Sequence, residues 1–120
     1  MWIFCKYGFF SAVQHIDKPD TLLVRARFKG DLERLIKAMS PEEYNLSGQP
    51  KVQFTPYADY RYRAEIRKIV FSELIREAIE DIDYSNFKDA MHDGTIRDAA
   101  YMNVWACLSQ AQAWEDRVVK

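Results

Sequence analysis

The sequence predicts an α+β fold: a single domain over residues 1–120, with an antiparallel β-sheet of four or five strands, an N-terminal hairpin, and helices packed on one face. Three observations carry this. Extended segments with a two-residue apolar period cluster in the first half of the chain. From Ser72 onward the period becomes helical. Strands in the first half followed by helices in the second is the order of an antiparallel sheet with helices packed on one face. At 120 residues, two separate cores would each be marginal.

Residues 2–6 and 9–16 read as the hairpin, with Tyr7-Gly8 as a two-residue turn in which Gly8 takes a positive φ. That turn pairs Cys5 with Phe10, Phe4 with Ser11 and Trp2 with Val13. One face carries Ile3, Cys5, Phe10 and Ala12; the other carries Trp2, Phe4, Lys6, Phe9, Ser11 and Val13. Residues 21–28 form a third strand, with Leu22, Val24, Ala26 and Phe28 opposite Leu23, Arg25 and Arg27. Gly30-Asp31 opens a helix whose buried stripe is Leu32, Leu35, Ile36 and Met39. Ser40-Pro41-Glu42-Glu43 has the cap, proline and carboxylate of another helix start. Residues 51–66 are a fourth extended segment that Pro56 breaks or confines to an edge. Its later part sets Tyr60, Tyr62, Ala64 and Ile66 against Arg61, Arg63 and Glu65.

Three helices follow. The first, from Ser72, carries a stripe of Leu74, Ile75, Ala78, Ile79 and Ile82. A short one spans Asn86 to His92, capped by Ser85. Thr95 with Asp98 opens the last, which runs to about Asp116. The predicted core is Ile3, Cys5, Phe10, Ala12, Val24, Leu32, Leu35, Ile36, Ile75, Ile79, Val104, Trp105 and Leu108.

Composition narrows the function. Hydrophobic residues are 48% and charged residues 29%, which excludes a disordered chain. A net charge of −1 supplies no overall field toward DNA or an anionic membrane. Charge is nonetheless uneven: basic over Arg61–Lys68, acidic over Glu77–Asp93. The start MWIFCK lacks the features of a signal peptide, and no apolar run is long enough to span a membrane, so a cytoplasmic location is expected. Cys5 and Cys107 are expected to be buried, reduced thiols.

Catalytic and metal-binding patterns fail one after another. Asp81, Asp83, Ser85 and Asp89 fall at calcium-loop positions, but Asn86 stands where glycine is needed and His92 where a bidentate carboxylate is needed. Asp89, His92 and Asp93 share a helical face that would suit a divalent metal, but the following Gly94 weakens it. There is no CxxC, GxSxG, GxGxxG or phosphate loop. Neither a catalytic residue nor a metal or other cofactor is therefore expected.

The strongest signal is a sheet face. Arg25 and Arg27 alternate on one strand, Arg61 and Arg63 on another, and Trp2, Phe4 and Lys6 stand on the matching hairpin face. Aromatic residues and arginine are enriched in interface cores. These seven residues therefore point to a non-enzymatic binding or assembly protein whose partner is another protein or a second copy in a homodimer. Single-stranded RNA, or another anionic ligand, on the same face is the alternative. An enzyme of unidentified mechanism is the second.

Four strings, WIFCKYGFFSAVQ, LLVRAR followed by DLERL, TPYADYRYR and IDYSNFK, together resemble small uncharacterised bacterial or phage proteins of similar length. The order of elements is faintly similar to ferredoxin-like sheets. Neither resemblance implies a site residue.

Overall fold

The structure is a computed structural model that describes residues 1–40 and 48–119. The strands are β1 (Trp2–Cys5), β2 (Gly8–Gln14), β3 (Thr21–Ala26), β4 (Gln53–Phe54) and β5 (Tyr62–Arg67). The helices are α1 (Lys29–Lys37), α2 (Lys68–Glu80), α3 (Phe87–Ala90) and α4 (Ile96–Val119). The strands form one open sheet in the order β1-β2-β3-β5-β4, antiparallel throughout. The predicted α+β class and strand number are those observed. The expected helix start at Pro41-Glu42-Glu43 lies outside the described residues. The chain groups into two compact units, Met1–Ile82 and Asp83–Lys120.

In the first unit, Phe10, Val24, Ala26, Ala64 and Ile66 stand on the inner sheet face and are almost wholly buried. Leu32, Leu35 and Ile36 of α1 and Val70, Phe71 and Leu74 of α2 join them in one apolar cluster. Cys5 and Ala12 belong to it as expected, while Ile3 and Ile75 are only partly buried at its margin.

The hairpin turns one step earlier than the sequence predicts. Its register is Cys5↔Gly8, Phe4↔Phe9, Ile3↔Phe10 and Trp2↔Ser11, so the turn is Lys6-Tyr7. Because the register slides by two residues, every side chain keeps its predicted face. The cause lies in α1. Gly8 has φ +143°, and a Cβ there would collide with the Asp31 carboxylate. Asp31 is fully buried, accepts the Phe9 N–H at 3.2 Å and pairs with Arg34. Arg34 Nε in turn donates to the Tyr7 carbonyl at 2.9 Å. Gly8 is thus the point where hairpin backbone and helix meet.

β3 stops at Ala26, two residues early, and the extended segment after Lys51 is split by a turn between β4 and β5. α2 starts at Lys68, directly after β5, rather than at Ser72. Its buried residues are Val70, Phe71, Leu74 and Ala78, so the buried stripe is rotated from the predicted one. Ile79 is 61% exposed and Ile82 is also exposed, which removes Ile79 from the core. Ile79 instead lines an open hollow with Met1, Phe71 and Ile75.

The second unit holds α3 and α4. Asn86, not Ser85, caps α3: its side-chain oxygen accepts the Asp89 N–H at 3.1 Å. Tyr84, Phe87 and Tyr101 form a ring series with centroids 5.9 Å apart. Thr95 bonds to Asp93 rather than forming the expected pair with Asp98. Val104, Trp105 and Leu108 are not core residues; Trp105 is 56% and Leu108 67% exposed. The four-residue α3 is too short to cover the apolar residues of the 24-residue α4. No helix among the described residues is long and apolar enough to cross a membrane.

Candidate functional site on the outer sheet face

The sheet face turned away from the apolar cluster gathers most of the predicted site. One row crosses all five strands: Trp2, Ser11, Arg25, Arg63 and Gln53 are successive cross-strand partners. Beside it stands the Phe4↔Phe9 pair. Their rings stack at 4.4 Å, and Trp2 meets Phe9 edge-on at 6.0 Å. Trp2 remains 72% exposed. These three rings form an aromatic shelf over β1 and β2.

Tyr60 joins shelf and arginines. Its ring lies 6.4 Å from Phe9, with the Arg27 guanidinium 4.0 Å and the Arg25 guanidinium 4.8 Å from its centroid. These are cation–π distances. Sequence alternation assigned Tyr60 to the face of Ala64 and Ile66. That parity does not hold, because β5 begins at Tyr62 and Tyr60 still belongs to the preceding turn. The Pro56 and Asp59 turn residues were the available signal.

The arginines divide into three kinds. Arg25 and Arg63 face each other directly across β3 and β5. Arg25 donates to Ser11 Oγ at 2.7 Å and Arg63 to the Tyr60 carbonyl at 3.3 Å. Neither forms an ion pair among the described residues, and the Nε–H of each is buried without a partner. Arg27 is neutralised by Asp59, with Nη1 2.7 Å from both the carboxylate and the carbonyl of that residue. The Asp59 bond, more than any other contact, secures the charged form of Arg27. Arg61 precedes β5 and is exposed, so it does not complete the expected set of four.

Lys6 also leaves the face. It occupies the hairpin turn, bonds to Asp81 at the end of α2 and sits 5.1 Å from the Tyr7 ring centre. The Asp81 bond raises its pKa above the ordinary lysine value.

On the other side of the central row, Leu23 faces Glu65. Glu65 accepts from Lys18 at 2.9 Å and lies 2.8 Å from His15 Nε2. His15 Nδ1 accepts the N–H groups of Asp17 and Lys18, which places the ring proton on Nε2. The Lys18 bond, with His15 behind it, holds the Glu65 carboxyl below the usual glutamate value.

The metal candidates are not brought together. His92 pairs with Asp98 at 2.6 Å, Asp89 with Lys88 and Asp93 with Arg97. Among the described residues, no group of three His, Cys, Asp or Glu side chains is placed to hold a metal ion. Nor does any described Ser, Thr or Cys side chain bond to either histidine. Cys5 is buried, which raises the pKa of its thiol; Cys107 is exposed, contrary to the sequence expectation. Comparison with protein families, with curated proteins and with solved structures finds no match to this chain.

Proposed function

We propose that this is a non-enzymatic, cytoplasmic docking domain that holds a protein partner on its outer sheet face. The observation that carries the reading is the shelf of Trp2, Phe4 and Phe9 set against the Arg25–Tyr60–Arg27 stack. An exposed tryptophan braced by stacked rings is pre-ordered, so burying it under a partner costs little side-chain entropy. Tryptophan, tyrosine and arginine are also the residues that anchor interfaces.

A second copy suits the face less well than a different protein. Two-fold pairing through the central row would set Arg25 and Arg63 against the same residues of the other copy, with no carboxylate between them. An RNA strand would meet Glu65 on one side of the arginine pair and Asp59 on the other.

The test is photo-crosslinking with a benzophenone amino acid at position 2, and at Tyr57 as a control. Tyr57 is fully exposed but lies in the turn between β4 and β5. The expected result is a protein adduct from position 2 only, with light scattering showing a monomer on dilution. A nucleic-acid adduct, or equal adducts from both positions, overturns the reading. A dimer that Trp2→Ala dissociates assigns the partner as a second copy.

A further inference from the structure

We infer that the Arg25–Arg63 pair is the seat of a carboxylate, so that the docked segment of the partner is acidic. The inference rests on the docking reading and names the chemistry of its occupant. Two like charges directly opposite each other on neighbouring strands repel. Among the described residues, the carboxylates flanking the pair are engaged elsewhere: Asp59 on Arg27, Glu65 on Lys18 and His15. The pair is also partly desolvated. Both residues are half-buried, and each has a buried Nε–H with no acceptor. Desolvation strengthens the repulsion between the two guanidiniums, and a bound carboxylate answers it.

A carboxylate suits the site better than a chain of phosphates. Among the described residues, Arg25 and Arg63 are the facing cationic pair without a carboxylate, and the acidic side chains on both sides of it would repel a second and third phosphate. One acidic side chain needs only the pair itself.

The shelf fixes what accompanies the acid. Phe4 and Phe9 lie on β1 and β2, the arginines on β3 and β5, and the sheet order places these two pairs side by side. Neighbouring strands are about 4.8 Å apart and the Phe4–Phe9 row lies two residues along the strands from the Arg25–Arg63 row, so the two centres are roughly 12 Å apart. An extended segment crossing the sheet covers that distance in about three to four residues. The recognised pattern is therefore an aromatic or large apolar side chain with an acidic residue three positions away.

The probes are acetyl-Trp-Ser-Ser-Glu-amide, the same peptide with Gln in place of Glu, and a hexameric oligouridylate. The readout is the arginine Nε–H resonances of the full ¹⁵N-labelled chain. The Glu peptide should move those of Arg25 and Arg63 saturably, leave Arg61 unmoved, and bind about tenfold more tightly than the Gln peptide. Arg25→Gln and Arg63→Gln should each remove that preference while circular dichroism stays native. Equal binding of the two peptides, with shifts confined to Trp2, Phe4 and Phe9, overturns the carboxylate seat and leaves the docking reading standing. Absence of any shift at Arg25 and Arg63 overturns it as well, and the crosslink at position 2 then decides the docking reading separately. Stronger, salt-sensitive binding of the oligouridylate at the same arginines overturns both.

Discussion

The two faces of the sheet follow the same alternation and carry opposite chemistry. On the inner face, Phe10, Val24, Ala64 and Ile66 meet α1 and α2 and leave water almost completely. On the outer face, the residues between them in sequence are Phe9, Ser11, Arg25, Arg63 and Glu65. Rings stack on rings, guanidiniums lie on Tyr60, and Trp2 is left in water. The inner face is stabilised by removing apolar area from water, a term that grows with every buried methylene. The outer face is ordered by contacts worth much less each, and among the described residues Arg25 and Arg63 on it have no counter-ion. A sheet can leave one face so incompletely paired only when the other supplies most of the stability.

The sharpest way to break this comparison is Phe10→Ala. It removes the largest fully buried side chain and should cost about 3–5 kcal/mol in urea unfolding. A cost below about 1 kcal/mol would mean that the inner face does not hold the fold. Next in size is Gly8→Ala, which combines a positive φ with the collision against Asp31, for about 1–3 kcal/mol. Asp31→Ala should fall in the same range, because it strands the Phe9 N–H.

The outer face should respond in the opposite way. Trp2→Ala should change the unfolding free energy by less than about 1 kcal/mol yet weaken the proposed docking at least about tenfold. Arg25→Gln removes a like-charge opposition but also the bond to Ser11 and the stack on Tyr60, and these offset to a net change within about 1 kcal/mol. Loss of the fold in either variant would mean that the outer face is structural.

The smallest effect concerns pH. The pKa of Glu65 is lower folded than unfolded, so its contribution is complete above the unfolded value and is lost as pH falls through the folded one. Below about pH 5, the parent should therefore lose stability that Glu65→Gln never had. The pair is partly open to solvent, so the difference between urea midpoints at pH 7 and pH 3 should correspond to less than about 1 kcal/mol.

Much of this arrangement was readable before any coordinates. Period-two alternation assigned Ile3, Cys5, Phe10 and Ala12 to one face and Trp2, Phe4 and Phe9 to the other, and a two-residue slip in register left those assignments intact. The α1 stripe was readable because Leu32, Leu35 and Ile36 follow one helical face without a competing set. α2 was harder. It carries isoleucines beside its buried residues, and nothing local distinguishes Ile79 on the rim from Leu74 in the core. α4 misled for a related reason, since its apolar residues lie on several sides and do not define one buried stripe.

The sequence by itself determined the alternation of the strands, the change of period that starts the helices, and the presence of arginine and aromatic residues on one face of the sheet. These are local properties, set by side-chain direction within a strand or a helical turn. Only the tertiary structure decided which of those residues meet. The hairpin turns at Lys6-Tyr7 because Gly8 must admit a carboxylate from a helix more than twenty residues away. Tyr60 crosses to the outer face because its turn ends one residue before β5 begins. Arg25 selects Arg63 rather than Arg61 because strand register, a long-range quantity, fixes the pairing.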